Sequence, residues 1–146
     1  SSHVAHDCIL EDNVVLANNV AIAGHALIGE SVIIGGNSAV QQFTRIGKMA
    51  MIGGMTGVEK DVIPYALSIG NRNYLTGLNL VGLRRKNISN KIILSLSEAY
   101  KEIFKTKQLT DNLNKLNGVY KDNILVKDII EFINKDKKRP ICTPLL

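Results

Sequence analysis

Residues 20–37 read Val20-Ala21-Ile22-Ala23-Gly24-His25, Ala26-Leu27-Ile28-Gly29-Glu30-Ser31 and Val32-Ile33-Ile34-Gly35-Gly36-Asn37, three six-residue units in one phase. The same phase runs from residue 2 to residue 63. One apolar residue per unit gives Val4, Leu10, Leu16, Ile22, Ile28, Ile34, Val40, Ile46, Ile52 and Val58, each a Val, Leu or Ile. Two places earlier stands a compact residue, from Ser2, Cys8 and Val14 through Val20, Ala26, Val32, Ser38, Thr44 and Ala50 to Thr56. The position after the apolar one is usually small, as at Ala5, Ala17, Ala23, Gly29, Gly35, Gly47 and Gly53. Two inward positions in every six residues predict a β-helix in which three short strands make one coil. Branched side chains then fill the space between coils and small ones suit the tight corners. Unrelated hairpins would instead give period-two alternation with irregular turns.

Outward from the repeat, the 146-residue chain has the size of one domain, or of a solenoid with an appendage. The repeat is in phase at Ser2 with no cap before it, so further coils are expected to precede residue 1. It is expected to end at 61–65, where Pro64 removes a ladder donor. Residues 1–65 are thus read as β-helix coils, 66–76 as an extended connection and 77–146 as an α-helical domain. Within the last, Asn79–Lys86 forms a short helix with its basic residues at the C-terminal end. Ser89 caps a second, whose stripe is Ile92, Ile93, Leu96, Ala99, Tyr100, Ile103 and Phe104. A third runs from Thr110 past Leu116 to Gly118, and a fourth from Ile124 to Ile133. Lys135–Leu146 reads as a frayed basic tail.

The net charge of +5 conceals an asymmetry, since residues 1–66 carry −3 and the remainder +8. A basic appendage suits an acidic partner or phosphate groups, or is simply a solvated helical surface. Aromatic residues are few and none interleaves with the basic ones, so no nucleic-acid partner is expected. Arg84-Arg85-Lys86 could hold phosphates. No apolar run is long enough for a transmembrane segment, and neither a membrane span nor a secretory leader is expected. With only Cys8 and Cys142, a disulfide framework is not expected, which fits a cytoplasmic protein.

Three hexads per coil stack residues eighteen apart, about 4.8 Å per layer. One corner then gathers His6-Asp7, Gly24-His25, Gln42-Phe43 and Lys60-Asp61, with His3 at the far end of the strand preceding His6. The other corners collect Asp12-Asn13, Glu30-Ser31, Lys48-Met49 and Asn18-Asn19, Gly36-Asn37, Gly54-Met55, ordinary turn residues. A His beside an Asp makes a general base with its orienter, and Gly24 one layer above could bring a bare N–H to a developing oxyanion. With no Ser or Cys nucleophile in place, a substrate hydroxyl activated by His6 is the natural attacking group. Corner histidines that merely satisfy turns are the plain alternative. A three-histidine zinc site is another, though Asp7 beside His6 favours a base pair over a ligand set. No cofactor or metal is therefore expected.

Taken together, His3-Val4-Ala5-His6-Asp7-Cys8, Leu16-Ala17-Asn18-Asn19, Ala23-Gly24-His25, Ile34-Gly35-Gly36, Gln42-Phe43, Ile52-Gly53-Gly54, Gly70-Asn71, Asn79, Gly82-Leu83-Arg84-Arg85 and Ala99-Tyr100 resemble the UDP-N-acetylglucosamine O-acyltransferases, which open lipid A synthesis. The resemblance covers residues 1–105 without a gap. It implies a left-handed parallel β-helix with a helical cap, assembled as a homotrimer with active sites between subunits. The hand runs against the usual right-handed crossover. The implied reaction moves a (3R)-3-hydroxyacyl group from acyl carrier protein to the 3-hydroxyl of UDP-N-acetylglucosamine. Carried over by position, His6 is the base, Asp7 its orienter and Gly24 the oxyanion donor. His3, His25 and Gln42 contact the sugar nucleotide or acyl donor; Asn79, Arg85 and Lys86 contact the nucleotide; Gly54 leaves room for the acyl chain. The basic cap would meet the carrier protein. Gln41, Arg72, Val81 and Lys86 depart from the family's usual residues, which bears on nucleotide affinity and acyl selectivity. An amide-forming relative acting on an amino sugar, or a non-catalytic trimeric scaffold, are the alternatives.

Overall fold

The computed structural model describes residues 1–116 and 118–145. Each hexad yields one two-residue strand: β1 (His3–Val4), β2 (Ile9–Leu10), β3 (Val15–Leu16), β4 (Ala21–Ile22), β5 (Leu27–Ile28), β6 (Ile33–Ile34), β7 (Ala39–Val40), β8 (Arg45–Ile46), β9 (Met51–Ile52) and β10 (Gly57–Val58). Pairing is parallel with a partner eighteen residues away, as in His3 with Ala21 and Val4 with Ile22. Three sheets result: β1-β4-β7-β10, β2-β5-β8 and β3-β6-β9, the last extended by two later strands. Amides flanking the strands also bond between coils, such as Ala5 N–H to Ile22 O at 2.9 Å.

Both inward positions are filled as the period requires. Ile22, Ile28, Ile34, Val40, Ile46, Ile52 and Val58 are at most 2% exposed. Each such side chain contributes roughly 1.5–3 kcal/mol through burial. Ser38 and Thr56, polar at inward positions, both donate to Gly53 O, at 3.0 and 2.7 Å. The small residue after each inward one has a steric cause: a Cβ on Gly35 would lie 2.5 Å from the Gly54 nitrogen in the next coil. The second residue of each corner adopts left-handed backbone, and here small or Asn residues are not required. Asp7, His25, Phe43, Met49 and Met55 do so alongside Asn13, Asn19, Ser31 and Asn37. Each costs roughly 1–2 kcal/mol, offset by the ladder around it.

The solenoid outlasts its six-residue period. Ile46 bridges Val62, and Met51–Ile52 pairs in parallel with Leu67–Ser68, both sixteen residues on rather than eighteen. The corner after Val58 is two residues shorter, which breaks the phase without ending the stack. Pro64 does not terminate it either: Tyr65 turns the next corner with φ 69 and bonds Lys48 O at 3.0 Å. Residues 66–76, expected as an extended connection, hold most of a hairpin. Strand β11 (Ala66–Ile69) joins β9 and returns antiparallel through β12 (Tyr74–Leu78).

Four helices follow. Helix α1 (Leu80–Arg85) is capped by Asn79, whose Oδ1 accepts from Gly82 N–H at 3.1 Å. Ser89 caps α2 (Asn90–Ile103), which buries Ile93, Leu96, Ala99 and Ile103. Helix α3 (Leu109–Asn114) is shorter than the pattern predicts, since its end tightens to Leu116 N–H on Leu113 O. The rest of that predicted end crosses residue 117, outside the described residues. Buried Asn112 ties it to α2 through Ile103 O at 2.8 Å. Asn123 caps α4 (Ile124–Lys135), which buries Leu125, Val126, Ile129 and Ile133. Among the described residues no helix is long and apolar enough to cross a membrane.

The tail is docked, contrary to the frayed end expected from its composition; Leu146 lies outside the described residues. Ile141 bridges Asp61, Pro144 bridges Leu75, and Cys142 is fully buried. Backbone pairing supplies what composition does not: Asp61 N–H bonds Pro140 O at 2.9 Å and Cys142 N–H bonds Asp61 O at 2.8 Å.

Candidate active site

The corner column assembles as spacing predicts through three layers. His25 N–H bonds His6 O at 3.1 Å and Phe43 N–H bonds Gly24 O at 3.0 Å. Left-handed backbone at Asp7, His25 and Phe43 turns their side chains out on the same edge. His6 Nδ1 lies 3.0 Å from Asp7 Oδ2, and His25 Nε2 lies 3.8 Å from the same oxygen. The His6 and His25 rings meet edge to face at 5.1 Å, and His25 stacks on Phe43 at 4.8 Å. The side chains of His6 and Asp7 are 72% and 67% exposed, so both are open to a substrate on this protomer. The His6 hydrogen bond, and then the charge of His25, hold the Asp7 carboxyl below its usual range. An ionised Asp7 fixes the proton on His6 Nδ1 and leaves Nε2 as the acceptor.

Gly24 sits directly against His6. A Cβ there would lie 2.7 Å from Cε1 and 2.8 Å from Nε2. Only a glycine lets the imidazole stand where it does. The ladder uses the amides of Ala23, to Val40 O, and of His25, to His6 O, on either side of Gly24.

His6, Asp7 and His25 offer ligand atoms within 4.8 Å of one another, a spacing that could also hold a metal ion. His3, on exposed β1, is outside that group, so the three-histidine zinc set is not assembled. The 3.0 Å contact has the geometry of an imidazole N–H addressed by a carboxylate, the arrangement of a base with its orienter.

The fourth layer differs from expectation. Lys60-Asp61 does not stack on Gln42-Phe43, because the shortened corner draws Asp61 inward onto Arg45. Arg45 Nε donates to Asp61 Oδ2 at 2.9 Å, and both side chains are buried. Burial pushes the Asp61 carboxyl up while the Arg45 bonds pull it back. The guanidinium also donates to Phe132 O at 2.7 Å and Asp136 O at 2.8 Å, closing the end of α4. The tail occupies the vacated layer: Arg139 Nε donates to Gln42 O at 3.0 Å, and Lys138 Nζ lies 5.5 Å from the Phe43 centroid. A cleft of about 190 Å³ beside the histidines is lined by Asp7, His25, Leu27, Phe43, Arg45, Asp136 and Lys138.

The remaining candidates lie apart from this cluster. Gly54 is on another corner, one layer above Gly36. Asn79 bonds Met49 O and Gly82 N–H through its side chain, a structural duty. Arg85 and Lys86 are exposed at the end of α1, Val81 is exposed on it, and Arg72 pairs with Glu59 at 3.3 Å. Phe43, Lys138 and Arg139 escaped the sequence reading as site residues. Phe43 was visible in its column; only the basic composition of the tail hinted at the other two.

A family model described as UDP-N-acetylglucosamine O-acyltransferase, domain 2, matches residues 61–142, more than half of the chain. An acyl-[acyl-carrier-protein]–UDP-N-acetylglucosamine O-acyltransferase of Caulobacter vibrioides is 51% identical over 144 residues, covering 98% of this chain and 55% of the relative. The enzyme of the same description from Sinorhizobium fredii is 42% identical, with 98% and 53% covered. The crystal structure of UDP-N-acetylglucosamine O-acyltransferase from Moraxella catarrhalis superposes with a TM-score of 0.90 at 42% identity, over 96% of this chain and 55% of that one. The chain spans about half the length of the curated relatives it matches. Its solenoid is the left-handed parallel β-helix of those neighbours. By its family model, its repeat and its fold, the chain belongs to the UDP-N-acetylglucosamine O-acyltransferase family.

Proposed function

We propose that this chain carries the catalytic corner of an enzyme that transfers a (3R)-3-hydroxyacyl group from acyl carrier protein to the 3-hydroxyl of UDP-N-acetylglucosamine, the first step of lipid A synthesis. His6 Nε2 takes the proton of the sugar hydroxyl as its oxygen attacks the thioester carbonyl. Asp7 stabilises the imidazolium and keeps the ring oriented. The Gly24 N–H faces the oxyanion of the tetrahedral intermediate. When the C–S bond breaks, His6 returns the proton to the leaving thiolate, so atoms and charge balance. The observation that carries this reading is the His6–Asp7 contact of 3.0 Å beside a glycine that admits the ring. His25 and Gln42 border the sugar in this reading, with His3 below them. Asn79, Arg85 and Lys86, being remote from the dyad, serve the nucleotide at a neighbouring subunit's site in a homotrimer. Gly54 lies along the acyl chain's path, and the basic helical cap meets the acidic carrier. Two free cysteines fit a reaction in the cytoplasm.

The test is acyl transfer to UDP-N-acetylglucosamine, followed by product mass. It is run on this chain and on the chain preceded by the N-terminal coils of a relative. His6→Ala is expected to lower kcat by about 10²–10⁴-fold with the thermal melt unchanged. Undiminished turnover in that variant would remove the base assignment.

A further inference from the structure

The column that carries the candidate dyad has a regular grammar. Each layer offers a carbonyl that the next layer's amide satisfies, His6 O by His25 and Gly24 O by Phe43. Gln42 O is the next acceptor, and no coil amide reaches it, because the corner after Val58 is shortened and Asp61 turns inward. Arg139 takes that acceptor with its side chain at 3.0 Å. Lys138 stands over Phe43 where the column's next outward side chain would be. The tail thus completes the column as a substitute layer.

Its position is fixed from both sides. Arg45 holds Asp136 O, and Asp61 pairs with Pro140 and Cys142. Between these anchors Lys138 projects into the cleft shared with Asp7, His25 and Phe43. Two carboxylates also line that cleft. Asp7 is engaged by His6, and Asp136 Oδ1 accepts from the backbone N–H of Lys138 at 2.9 Å. The Arg45 guanidinium is buried and fully directed at Asp61 and two carbonyls. Among the described residues the Lys138 ammonium forms no ion pair, and its side chain is exposed.

We propose that Lys138 is a substrate-binding residue that grips a phosphate of a substrate seated at His6 and Asp7. This rests on the function proposed above. Both substrates carry the chemistry it would recognise: the diphosphate of the sugar nucleotide and the phosphodiester of the carrier's phosphopantetheine arm. A flexible ammonium suits a phosphate whose position shifts during transfer.

Binding is measured without turnover, so the outcome is independent of whether His6 is the base. Titration calorimetry on the full chain joined to a relative's N-terminal coils uses UDP-N-acetylglucosamine in one arm and hydroxyacyl carrier protein in the other. Lys138→Ala is expected to weaken one arm by about tenfold, the size of one lost charge-assisted contact, and to flatten its salt dependence. Lys138→Arg is expected to restore it. The arm that responds identifies which phosphate is held. Affinities within twofold in both arms, or a loss that Lys138→Arg fails to restore, overturn the proposal, as does the absence of binding by the unaltered protein. Should His6→Ala retain turnover while Lys138→Ala loses affinity, the base assignment fails and the phosphate contact stands.

Discussion

At the scale of single residues, the site depends on an absence of atoms. Gly24 is the residue against which the His6 imidazole lies, and a methyl group there would occupy the space of Cε1 and Nε2. The ring is largely exposed, so it can swing away without disturbing the core. Gly24→Ala is therefore expected to lower turnover by at least about tenfold while leaving the melting temperature within a few degrees. Calorimetry together with the acyl-transfer assay checks this; a melt that collapses with activity would instead give Gly24 a structural role. His6, Asp7, Gly24 and His25 were legible as a group, because a strict period converts residue number directly into position. Their neighbours Lys138 and Arg139 were not. No period links them to the column, and a basic, proline-containing tail has the composition of a segment that stays loose.

At the scale of elements, one buried side chain joins the solenoid to its helical cap. On the outer face of β2-β5-β8 the column reads Ile9, Leu27, Arg45; the first two are exposed, and Arg45 is covered by the end of α4. It holds Asp61, the α4 C-terminus and the tail together, with Phe132 at 4.0 Å beneath the guanidinium. Removing one member of such a buried pair leaves the other charge without compensation and costs about 3–5 kcal/mol. Arg45→Leu is expected to lower the melting temperature by many degrees and expose the tail to proteolysis. Arg45→Leu with Asp61→Asn should recover part of the loss, and an unchanged melt in the single variant would contradict the role. The helices were largely readable from their apolar stripes and the Ser89 cap. Strand β11 was hidden because a two-residue deletion at one corner shifts the phase. The hairpin partner β12 was hidden because antiparallel return carries no hexad signature.

At the scale of the whole molecule, two features point outward. Exposed apolar residues form ladders on two faces, Ile9 with Leu27 and Val15 with Ile33. The nucleotide-binding candidates on α1 are remote from the dyad they would serve. The homotrimer proposed above would answer both, by covering apolar surface and bringing α1 of one subunit toward the corner of the next. Sedimentation equilibrium is expected to give three times the 16.0 kDa chain mass, whereas a monomer at every concentration would contradict the assembly. Fold and family were legible because the repeat is both architecture and signature. Assembly is not written in any period, only in surfaces left uncovered.

The substitute layer at the candidate site's corner also sets an order of events in time. Coils of a solenoid pair with neighbours eighteen residues away, so they can propagate one upon the next as soon as they are made. The corner cannot follow that schedule. Gln42 waits for Arg139, a partner 97 residues later, and Arg45 waits for Asp136, 91 residues later. Contacts of such long range form late. The coils of the column can therefore stack before its top is finished, and the layer above Gln42 and Phe43 is completed only when the chain's own last segment returns to it.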